Sequence, residues 1–500
     1  MVEESSQVRE LINEVINTGV FVDPEFLQDL PPKEEFLKVY PLLISPENQG
    51  AVLNKELYQQ LLTKTQQHGA EPSGSTQYSV RLKFSYKDNT KRRETQDFVT
   101  FFNSRYAAIQ KMLLSRQELG SATSISRVIG KRDRERVAII GMVSEKQATK
   151  NKNILLTLED PTGTIKALIS RRFFLERNKK DILEEANSIV EDEIIGVTGQ
   201  CNDNMFFVDN IVWPDVPLMP NIKTAEEEVY AIFLSDLHVG SKNFLSEHFE
   251  KFLNWLNQEL GSEEQRRIAS LVRYVFIVGD LVDGVGVYPE QDEELEIKDI
   301  YAQYKKCAEL LSRIPKNIAI ILCPGNHDAM RIAEPQPPLY KDFAKPIYAL
   351  PNVFLVSNPA VVNIHYSDTF SGFDVLLYHG YSFDYYVANV DAIRVEGGYD
   401  RADLIMKFLL KRRHLAPTHA STLYIPDTKE DPLVIKEPPD FFVTGHIHKS
   451  AVSNYKGTTL VCGSCWQSKT VFQERVGHNP EPCRVPIVNL KTRKMKILRF

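Results

Sequence analysis

The sequence predicts a multidomain α/β protein, and three observations support this fold class. Residues 1–68 carry apolar positions at helical spacing, and residues 131–216 contain five strand-like runs with one helix among them. Residues 225–500 alternate apolar strands with polar, glycine-containing turns. Segment 69–130 is expected to be a linker followed by a partly helical stretch. A chain of 500 residues is long enough for two to four such domains.

The composition excludes several classes of protein. Of the residues, 43% are hydrophobic and 25% are charged, and the net charge is −6, so any contact with nucleic acid must come from local patches. No apolar run approaches the roughly 20 residues that span a bilayer, and the acidic start of the chain does not resemble a secretory signal. The six cysteines are unevenly spaced, which is typical of reduced thiols. We therefore expect a cytoplasmic protein with no membrane partner, in which Cys462 and Cys465 are structural.

The N-terminal 68 residues are predicted to form a small helical interaction module. Apolar residues between Val8 and Ile16 recur at helical spacing, Gly19 should end that helix, and a second helix is expected at 54–67. Residues 68–77 have the composition of a flexible linker. The following segment is rich in basic residues, at 87 and 91–93, and contains a helical stretch at 98–114. Its basic residues could face solvent or contact nucleic acid, and the sequence favours the solvated face.

Residues 131–216 have the strand order of an OB-fold barrel. Strands are predicted at 136–143, 153–158 and 164–169, a helix at 178–187, and two further strands at 193–199 and 205–212. Such barrels bind single-stranded nucleic acid through exposed aromatic rings, and they also dock other proteins. Both functions stay open here, although the small number of aromatic residues in these strands slightly favours docking.

The C-terminal region places metal-binding side chains at the ends of five apolar strands. Asp236 and His238 follow the first strand, Asp280 the second, Asn326 the third, His379 the fourth, and His446 and His448 the fifth. Seven nitrogen and oxygen donors without a cysteine suit two divalent ions of the manganese, zinc or iron type, and the single Asp280 would bridge them. Two such ions about 3.5–4 Å apart stabilise a phosphate and activate a water. The pattern therefore predicts phosphoester hydrolysis.

The order of these motifs resembles that of the calcineurin-like metallophosphoesterases. The motifs are D-x-H at 236–238, G-D at 279–280, G-N-H-D at 325–328, H-G at 379–380 and G-H-x-H at 445–448, so the resemblance covers about 230–490. It implies two packed β-sheets flanked by helices. By position it also implies that Asp236, His238 and His448 hold one ion, that Asn326, His379 and His446 hold the other, and that Asp280 holds both.

The same resemblance assigns two further side chains. His327 would contact the scissile phosphate or the leaving group, and Asp328 would orient that ring by accepting its other N–H. The expected ions are Mn²⁺, with Zn²⁺ or Fe²⁺ as alternatives. Asp283 and Asp384 are candidates for acids that support the ligands from behind.

An OB-fold directly upstream of a phosphoesterase domain resembles the small, B-type subunits of replicative DNA polymerases. Further stretches are similar to the small subunits of archaeal family D DNA polymerases, namely 279–289, 325–328 with 334–337, 463–467, 476–480 and 484–486. The resemblance spans about 130–500. The eukaryotic B-type subunits have lost metal ligands and act as scaffolds, whereas every ligand position is filled here.

The resemblance implies a proofreading 3′–5′ exonuclease that is also the accessory subunit of a large catalytic polymerase subunit. Its substrate would be single-stranded DNA or a frayed 3′ primer end, and a sliding clamp is a further candidate partner of the N-terminal helices. Two alternatives remain: a mainly non-catalytic scaffold for the large subunit, and a free-standing nucleotide or RNA phosphodiesterase.

Several residues outside the five motifs complete the sequence predictions. The histidines at 365, 414, 419 and 478 are expected to be structural or to lie on the surface. The basic residues at 407 and 411–413 could form a path for DNA, although a solvated helix face is favoured.

Overall fold

The computed structural model describes residues 52–67, 79–88, 92–130, 135–426, 430–475 and 477–500, and isolated positions between 8 and 43. The chain divides into two compact units, residues 1–77 and residues 78–500. Among the described residues, no helix is long and apolar enough to cross a membrane.

The first unit contains helical residues and a small parallel sheet. The described residues at 8, 11–12 and 14–16 are helical, strand β1 (Phe21–Val22) pairs with β2 (Val52–Leu53), and helix α1 covers Lys55–Gln67. Val8, Ile12 and Val15 pack with Tyr58 and Leu61 in one buried cluster, as helical spacing predicts. The predicted helix at 54–67 is thus confirmed. Gly19 and the predicted linker at 68–77 lie outside the described residues.

The next segment differs from its prediction as a linker and partly helical stretch. It forms strand β3 (Val80–Ser85), the long helix α2 (Thr95–Leu114) and the short helix α3 (Ile125–Val128). The predicted helix is present, but β3 was missed. β3 pairs antiparallel with residues 360–364 at the edge of a sheet. Its partner lies about 280 residues away along the chain, so the local sequence pattern does not predict this pairing.

Five strands close into the predicted barrel. They are β4 (Arg136–Ala148), β5 (Ile154–Asp160), β6 (Gly163–Ile169), β7 (Ile194–Asn202) and β8 (Met205–Val212). Their order around the barrel is β4-β5-β6-β8-β7, which is OB-like. Between β6 and β7 the chain forms two short helices, α4 (Arg171–Glu176) and α5 (Lys180–Asn187), where one was predicted.

Two six-stranded sheets form the core of the C-terminal region. Its strands are β9 (Tyr230–Leu234), β10 (Val272–Val278), β11 (Ala319–Cys323), β12 (Val353–Leu355), β13 (Ala360–Ile364), β14 (Phe373–Leu377), β15 (Phe441–Thr444), β16 (Ala451–Tyr455), β17 (Thr458–Cys462), β18 (Arg484–Asn489) and β19 (Met495–Arg499). One sheet has the order β12-β11-β10-β9-β18-β19, and the other has the order β16-β17-β15-β14-β13-β3.

The described helices of this region lie between these strands along the chain, and the longer ones pack on the outer faces of the two sheets. They are α6 (Ser246–Leu256), α7 (Glu263–Ser270), α8 (Gln291–Glu294), α9 (Ile300–Leu311), α10 (Lys341–Tyr348), α11 (Phe383–Asn389), α12 (Asp391–Val395), α13 (Ala402–Arg412) and α14 (Val471–Arg475). Phe233 and Phe276 of the first sheet pack against Val375 and Phe441 of the second in one buried cluster. This arrangement of two packed sheets flanked by helices, with the barrel before it, confirms the predicted fold class.

The topology sends the predicted ligands to one region. Strands β9, β10 and β11 are parallel neighbours, and so are β14 and β15. The carboxyl ends of parallel strands meet at the same edge of a sheet, where ligands of α/β proteins usually bind. All five ligand-bearing motifs follow these five strands.

The barrel contacts helix α13 through buried charges, which changes the interpretation of the basic run at 407 and 411–413. The buried Arg412 guanidinium binds Glu193 of the barrel, and Arg413 donates to the backbone oxygens of Ile435 and Lys436. Lys411 lies 4.3 Å from the ring centre of Trp213. Arg412 therefore joins helix α13 to the barrel, and Arg413 holds the segment around residue 435. For these two buried residues both the DNA path and the favoured solvated helix face are wrong.

Candidate metal centre

The structure brings all seven predicted ligands together in two adjoining groups. Ligand atoms of Asp236, His238 and His448 lie within 4.8 Å of one another, and so do those of Asp280, His379 and His446. Asn326 joins the second group, since its Oδ1 lies 3.0 Å from His379 Nε2 and 3.0 Å from His446 Nδ1. These groups match the two ligand sets that the motif order implies.

Asp280 lies between the two groups. Its Oδ2 is 3.3 Å from His379 Nε2 in one group and 4.0 Å from His238 Nε2 in the other. Burial alone would raise the pKa of Asp280, but the surrounding imidazoles of His379, His327 and His238 outweigh it and hold that pKa well below its usual range. A lowered pKa favours the ionised carboxylate, which is the form that binds a metal ion.

The donor atoms fit divalent ions. Nε2 of His238 lies 3.1 Å from Nε2 of His448, so two ring nitrogens point at nearly the same place. Two ligands bound at right angles about 2.1 Å from one ion are about 3 Å apart. The set of imidazole, carboxylate and amide donors without cysteine suits manganese, zinc or iron. The buried histidine and aspartate groups are thus consistent with metal binding.

Each ligand histidine is held through the ring nitrogen that faces away from its group. His238 Nδ1 lies 3.1 Å from Asp283, and His446 Nε2 lies 3.1 Å from Asp384. His379 Nδ1 lies 2.9 Å from the backbone oxygen of Val278, and His448 Nδ1 lies 3.0 Å from the side-chain amide of Gln473. Such partners fix the ring and leave its other nitrogen for an ion. The structure thus places Asp283 and Asp384 where they can support His238 and His446.

The backbone of the centre is strained. Asp236, His238, Asp280, His446 and His448 all have left-handed conformations, with φ between 52° and 71°. Outside glycine this conformation costs about 1 kcal/mol or more for each residue, and it persists where the surrounding structure enforces it. Clusters of such residues are typical of binding and active sites. All five are aspartate or histidine, which adopt positive φ more often than most non-glycine residues, although the motifs alone did not predict this feature.

A glycine allows the G-N-H-D turn to reach Asp280. A Cβ atom on Gly325 would lie 2.2 Å from Asp280 Oδ1, closer than any side chain could stand. The turn instead lets the backbone N–H of His327 donate to that same oxygen over 2.8 Å.

His327 adjoins the first group, but Asp328 does not orient it. The ring of His327 lies 4.6 Å from that of His238, and its Nδ1 lies 2.9 Å from the backbone oxygen of Asp283. Asp328 accepts instead from the backbone N–H of Gly325 over 2.8 Å and from the Tyr304 hydroxyl over 3.2 Å. The predicted pairing of Asp328 with His327 is therefore wrong, because the Asp283 carbonyl occupies the ring nitrogen.

The buried Asp328 instead holds its own turn closed. Burial, together with the neighbouring Asp280, raises the pKa of Asp328 to about 7. Its oxygens are occupied by the turn and by Tyr304 of helix α9. This structural role accounts for Asp328 in the G-N-H-D motif, and it requires no contact between Asp328 and a substrate.

A layer of amide and carboxyl side chains behind the ligands was not predicted from the sequence. Gln467 and Gln291 donate to Asp283 over 2.9 and 3.0 Å, and Asn358 accepts from the backbone N–H of His379 over 2.9 Å. Gln336 donates to the backbone oxygen of Gly325 over 3.1 Å, and the fully buried Glu334 accepts from Tyr378. Four of these residues lie in or next to stretches 279–289, 334–337 and 463–467. These stretches resemble the archaeal small subunits, and this resemblance was the signal in the sequence that could have identified them.

The four histidines that were expected to be structural or on the surface lie away from the metal centre or at its edge. His414 is buried against Asp431, His365 contacts the Tyr274 hydroxyl, and the ring of His419 stacks on Tyr424. The ring of His478 lies 4.3 Å from Tyr399, whose hydroxyl donates to Asp384, so this residue adjoins the second group. Cys462 and Cys465 are buried and unbridged, as expected of structural thiols.

Comparison with known proteins adds independent findings. A family model for the B-type subunits of DNA polymerases alpha and epsilon matches residues 231–453. The chain is 39% identical over 407 residues to the DNA polymerase II small subunit of Methanothermobacter thermautotrophicus, covering 81% of this chain and 80% of that protein. It is 36% identical over 475 residues to the protein of the same name from Pyrococcus abyssi, covering 92% of this chain and 74% of that protein. A solved archaeal phosphodiesterase aligns with 54% of this chain and 100% of its own at 11% identity, with a TM-score of 0.27 that is too low to support a conclusion.

Proposed function

The chain belongs to the family of archaeal DNA polymerase II small subunits, and we propose that it is a metal-dependent 3′–5′ exonuclease that serves a separate, larger polymerase subunit. The observation that carries this proposal is the complete ligand set, whose seven members converge in two groups around Asp280. A scaffold subunit has no need for this constellation, and it would have no reason to keep five ligands in strained conformations.

The residues divide into ligands and substrate contacts. Asp236, His238 and His448 would hold one ion, Asn326, His379 and His446 the other, and Asp280 both. When bound, two divalent ions supply Lewis-acid stabilisation of a phosphodiester and acidify a water. Mn²⁺ is the proposed ion, and Zn²⁺ or Fe²⁺ would fit the same donors.

His327 is the proposed catalytic residue among the side chains that are not ligands. With Nδ1 fixed by the Asp283 carbonyl, Nε2 is the atom left to face an oxygen of the scissile phosphate or the leaving group. Burial lowers the pKa of His327, so the neutral ring predominates near neutral pH, with Nε2 as an acceptor. To protonate the leaving oxygen, Nε2 must already carry a proton, so the minor imidazolium form of His327 would donate that proton and return to the neutral ring.

The partner and the substrate follow from the family. A small subunit implies a larger one, and we propose that this chain binds the large polymerase subunit and acts on the unpaired 3′ end of a primer. The second candidate, a scaffold without chemistry, shares that partner. The third, a free-standing nucleotide or RNA phosphodiesterase, would need no partner.

The test is hydrolysis of 5′-labelled DNA and RNA by the purified chain, alone and with its large subunit. The substrates are a primer–template with a 3′ mismatch, the matched duplex, single-stranded DNA and single-stranded RNA, each with Mn²⁺ or EDTA. We expect stepwise shortening from the 3′ end, fastest on the single strand and the mismatch, and abolished by EDTA, Asp280→Ala or His446→Ala. The two variants should still bind the large subunit.

Three results would contradict the proposal. Absence of shortening in every condition would favour the scaffold, and preferred cleavage of RNA without a partner would favour the free-standing enzyme. Full activity in His446→Ala would refute the ligand assignment.

A further inference from the structure

A pair of aromatic rings, one exposed and one half-buried, lies beside the metal centre. Tyr288, in the loop that follows Asp283, stacks against Phe472 of helix α14, with ring centres 5.1 Å apart and an angle of 26° between the ring planes. The Tyr288 ring is also 6.1 Å from that of His327. The Phe472 side chain is 39% exposed, which is unusual for phenylalanine. We call Tyr288 and Phe472 the aromatic platform.

The platform is held in place by specific contacts. One oxygen of Glu294 accepts from the Tyr288 hydroxyl over 2.9 Å, and the other accepts from the backbone N–H of Val471 over 3.0 Å. Arg475 pairs with Glu290 over 2.9 Å and ties the helix to the loop a second time. Both segments are thus joined through acidic residues of the loop and helix α8.

The platform is also tied to the catalytic residues. A Cβ atom on Gly284, where φ is +78°, would lie 2.3 Å from the backbone oxygen of His327, so the loop starts in close contact with that turn. On the other segment, Gln473 contacts the ligand His448 over 3.0 Å. The two rings are therefore positioned relative to the centre itself.

We propose that the platform binds the unpaired base of the 3′-terminal nucleotide by stacking, while the scissile phosphate lies at the metal centre. This inference rests on the proposed exonuclease function and names the part of the substrate that the platform recognises. Aromatic rings stack on every base because every base has a π-face, so the contact tolerates any sequence. A paired base must first lose its pairing and leave the stack to reach the platform, and the platform would therefore favour frayed or mismatched ends.

The charge around the platform favours a base over the phosphate backbone. Glu290, Asp292, Glu293 and Glu294 lie directly beyond Tyr288 in the sequence. These carboxylates would repel phosphates but have little effect on a neutral base. Val287 and Val471, the chain neighbours of Tyr288 and Phe472, are also exposed. A neutral, flat and apolar group is the ligand that this surface accommodates.

The test pairs a change in the protein with a change in the DNA. Phe472→Ala and wild type are compared on two 5′-labelled single strands, one normal and one whose 3′-terminal nucleotide lacks its base. Binding is measured by fluorescence anisotropy in EDTA, and KM and kcat for shortening are measured with Mn²⁺. We expect Phe472→Ala to weaken binding of the normal strand and raise its KM by roughly 5- to 100-fold, and to have no effect on the abasic strand.

Two further variants control the experiment. Tyr288→Phe keeps the ring and loses only the contact with Glu294, so it should retain most of the affinity. Tyr301→Ala removes a 54% exposed ring that packs on Phe343, and it should change neither strand. Thermal unfolding of each variant establishes that the chain is folded.

The outcomes separate this inference from the proposed function. If Phe472→Ala loses the same affinity for both strands, or loses affinity for neither, the platform does not bind the terminal base and the inference is wrong. Shortening of DNA by wild type would still support the proposed nuclease. If Phe472→Ala weakens only the association with the large subunit, the platform is a protein-docking surface and the inference is wrong. If wild type never shortens DNA, the proposed function fails, and the anisotropy measurement still tests the stacking.

Discussion

The metal centre and a second cluster, formed by Arg105, His414 and Asp431, are both built from buried histidine and carboxylate side chains. In the second cluster, which we call the Arg105 cluster, Asp431 lies 2.6 Å from Arg105 Nε and 2.8 Å from His414 Nε2. The other ring nitrogen of His414 accepts from the backbone N–H of Ala416 over 3.0 Å. Each charge or acceptor here has a partner supplied by the chain.

In the metal centre the described residues supply backbone N–H donors to the buried carboxylates, but no lysine or arginine. Asp236 and Asp280 are fully buried, and within the described residues neither pairs with a lysine or an arginine. Their neighbours are imidazole nitrogens that converge on the same points. Buried acceptors that face one another without a cation are unfavourable unless an ion joins them. The two clusters contain the same types of ionisable side chain. The spatial convergence of acceptors, rather than their residue types, therefore distinguishes a ligand site from a structural cluster.

The largest effect is expected from breaking the Arg105 cluster. Asp431→Asn leaves the Arg105 guanidinium buried without its counter-charge, and it should lower the free energy of unfolding by about 3–5 kcal/mol. The measurement is urea unfolding followed by fluorescence, in EDTA and in Mn²⁺. Ions that bind only the folded state raise stability, and we expect that increment to survive Asp431→Asn but to disappear in Asp280→Ala.

The matched control for this comparison is Asp391→Asn. Asp391 pairs with Arg394 at 2.5 Å, but both side chains are more than half exposed, so the loss should be no more than about 1 kcal/mol. If Asp431→Asn costs no more than this exposed pair, the Arg105 cluster is not the structural element that its burial implies.

A smaller effect is expected from the acids behind the ligands. Asp283→Asn weakens the hold on His238, and Asp384→Asn weakens the hold on His446, so each should lower the affinity for a different ion by about 10- to 100-fold. Titration calorimetry with Mn²⁺ resolves the two binding steps. Asp215→Asn, which loses contacts with Tyr455 and Lys456, should change neither step. Loss of the same step in both variants would contradict the division into two ligand groups.

The sequence predicted the elements that depend on local patterns. The barrel strands, the strand before each ligand motif, and helices such as 54–67 all follow from apolar periodicity and turn residues. The ligand groups could be predicted because each motif follows its strand directly, so parallel strands alone bring them to one edge.

The rest depends on contacts between residues far apart in the sequence. Strand β3 pairs with residues about 280 positions away, and Asp431 meets Arg105 across 326 positions. The pairing of Asp328 with His327 was wrong because a backbone oxygen, which no sequence pattern displays, took its place. The role of Arg412 was missed because a charged residue on a helix is usually solvated, whereas here Glu193 and the backbone oxygen of Ser188 accept from its buried guanidinium.

The smallest effect concerns the response of the Arg105 cluster to acid. Burial lowers the pKa of His414 from about 6.5 to about 4, with Arg105 opposing its protonation and Asp431 and Asp192 favouring it. In this pH range His414 binds a proton in the unfolded chain but not in the folded chain. Its contribution therefore lowers the free energy of unfolding as the pH falls through 6.5 towards 4. Between pH 7 and 5.5 its share should be about 1 kcal/mol. His414→Gln should flatten the dependence of the unfolding free energy on pH by that amount, and an unchanged slope would show that His414 titrates normally despite its burial.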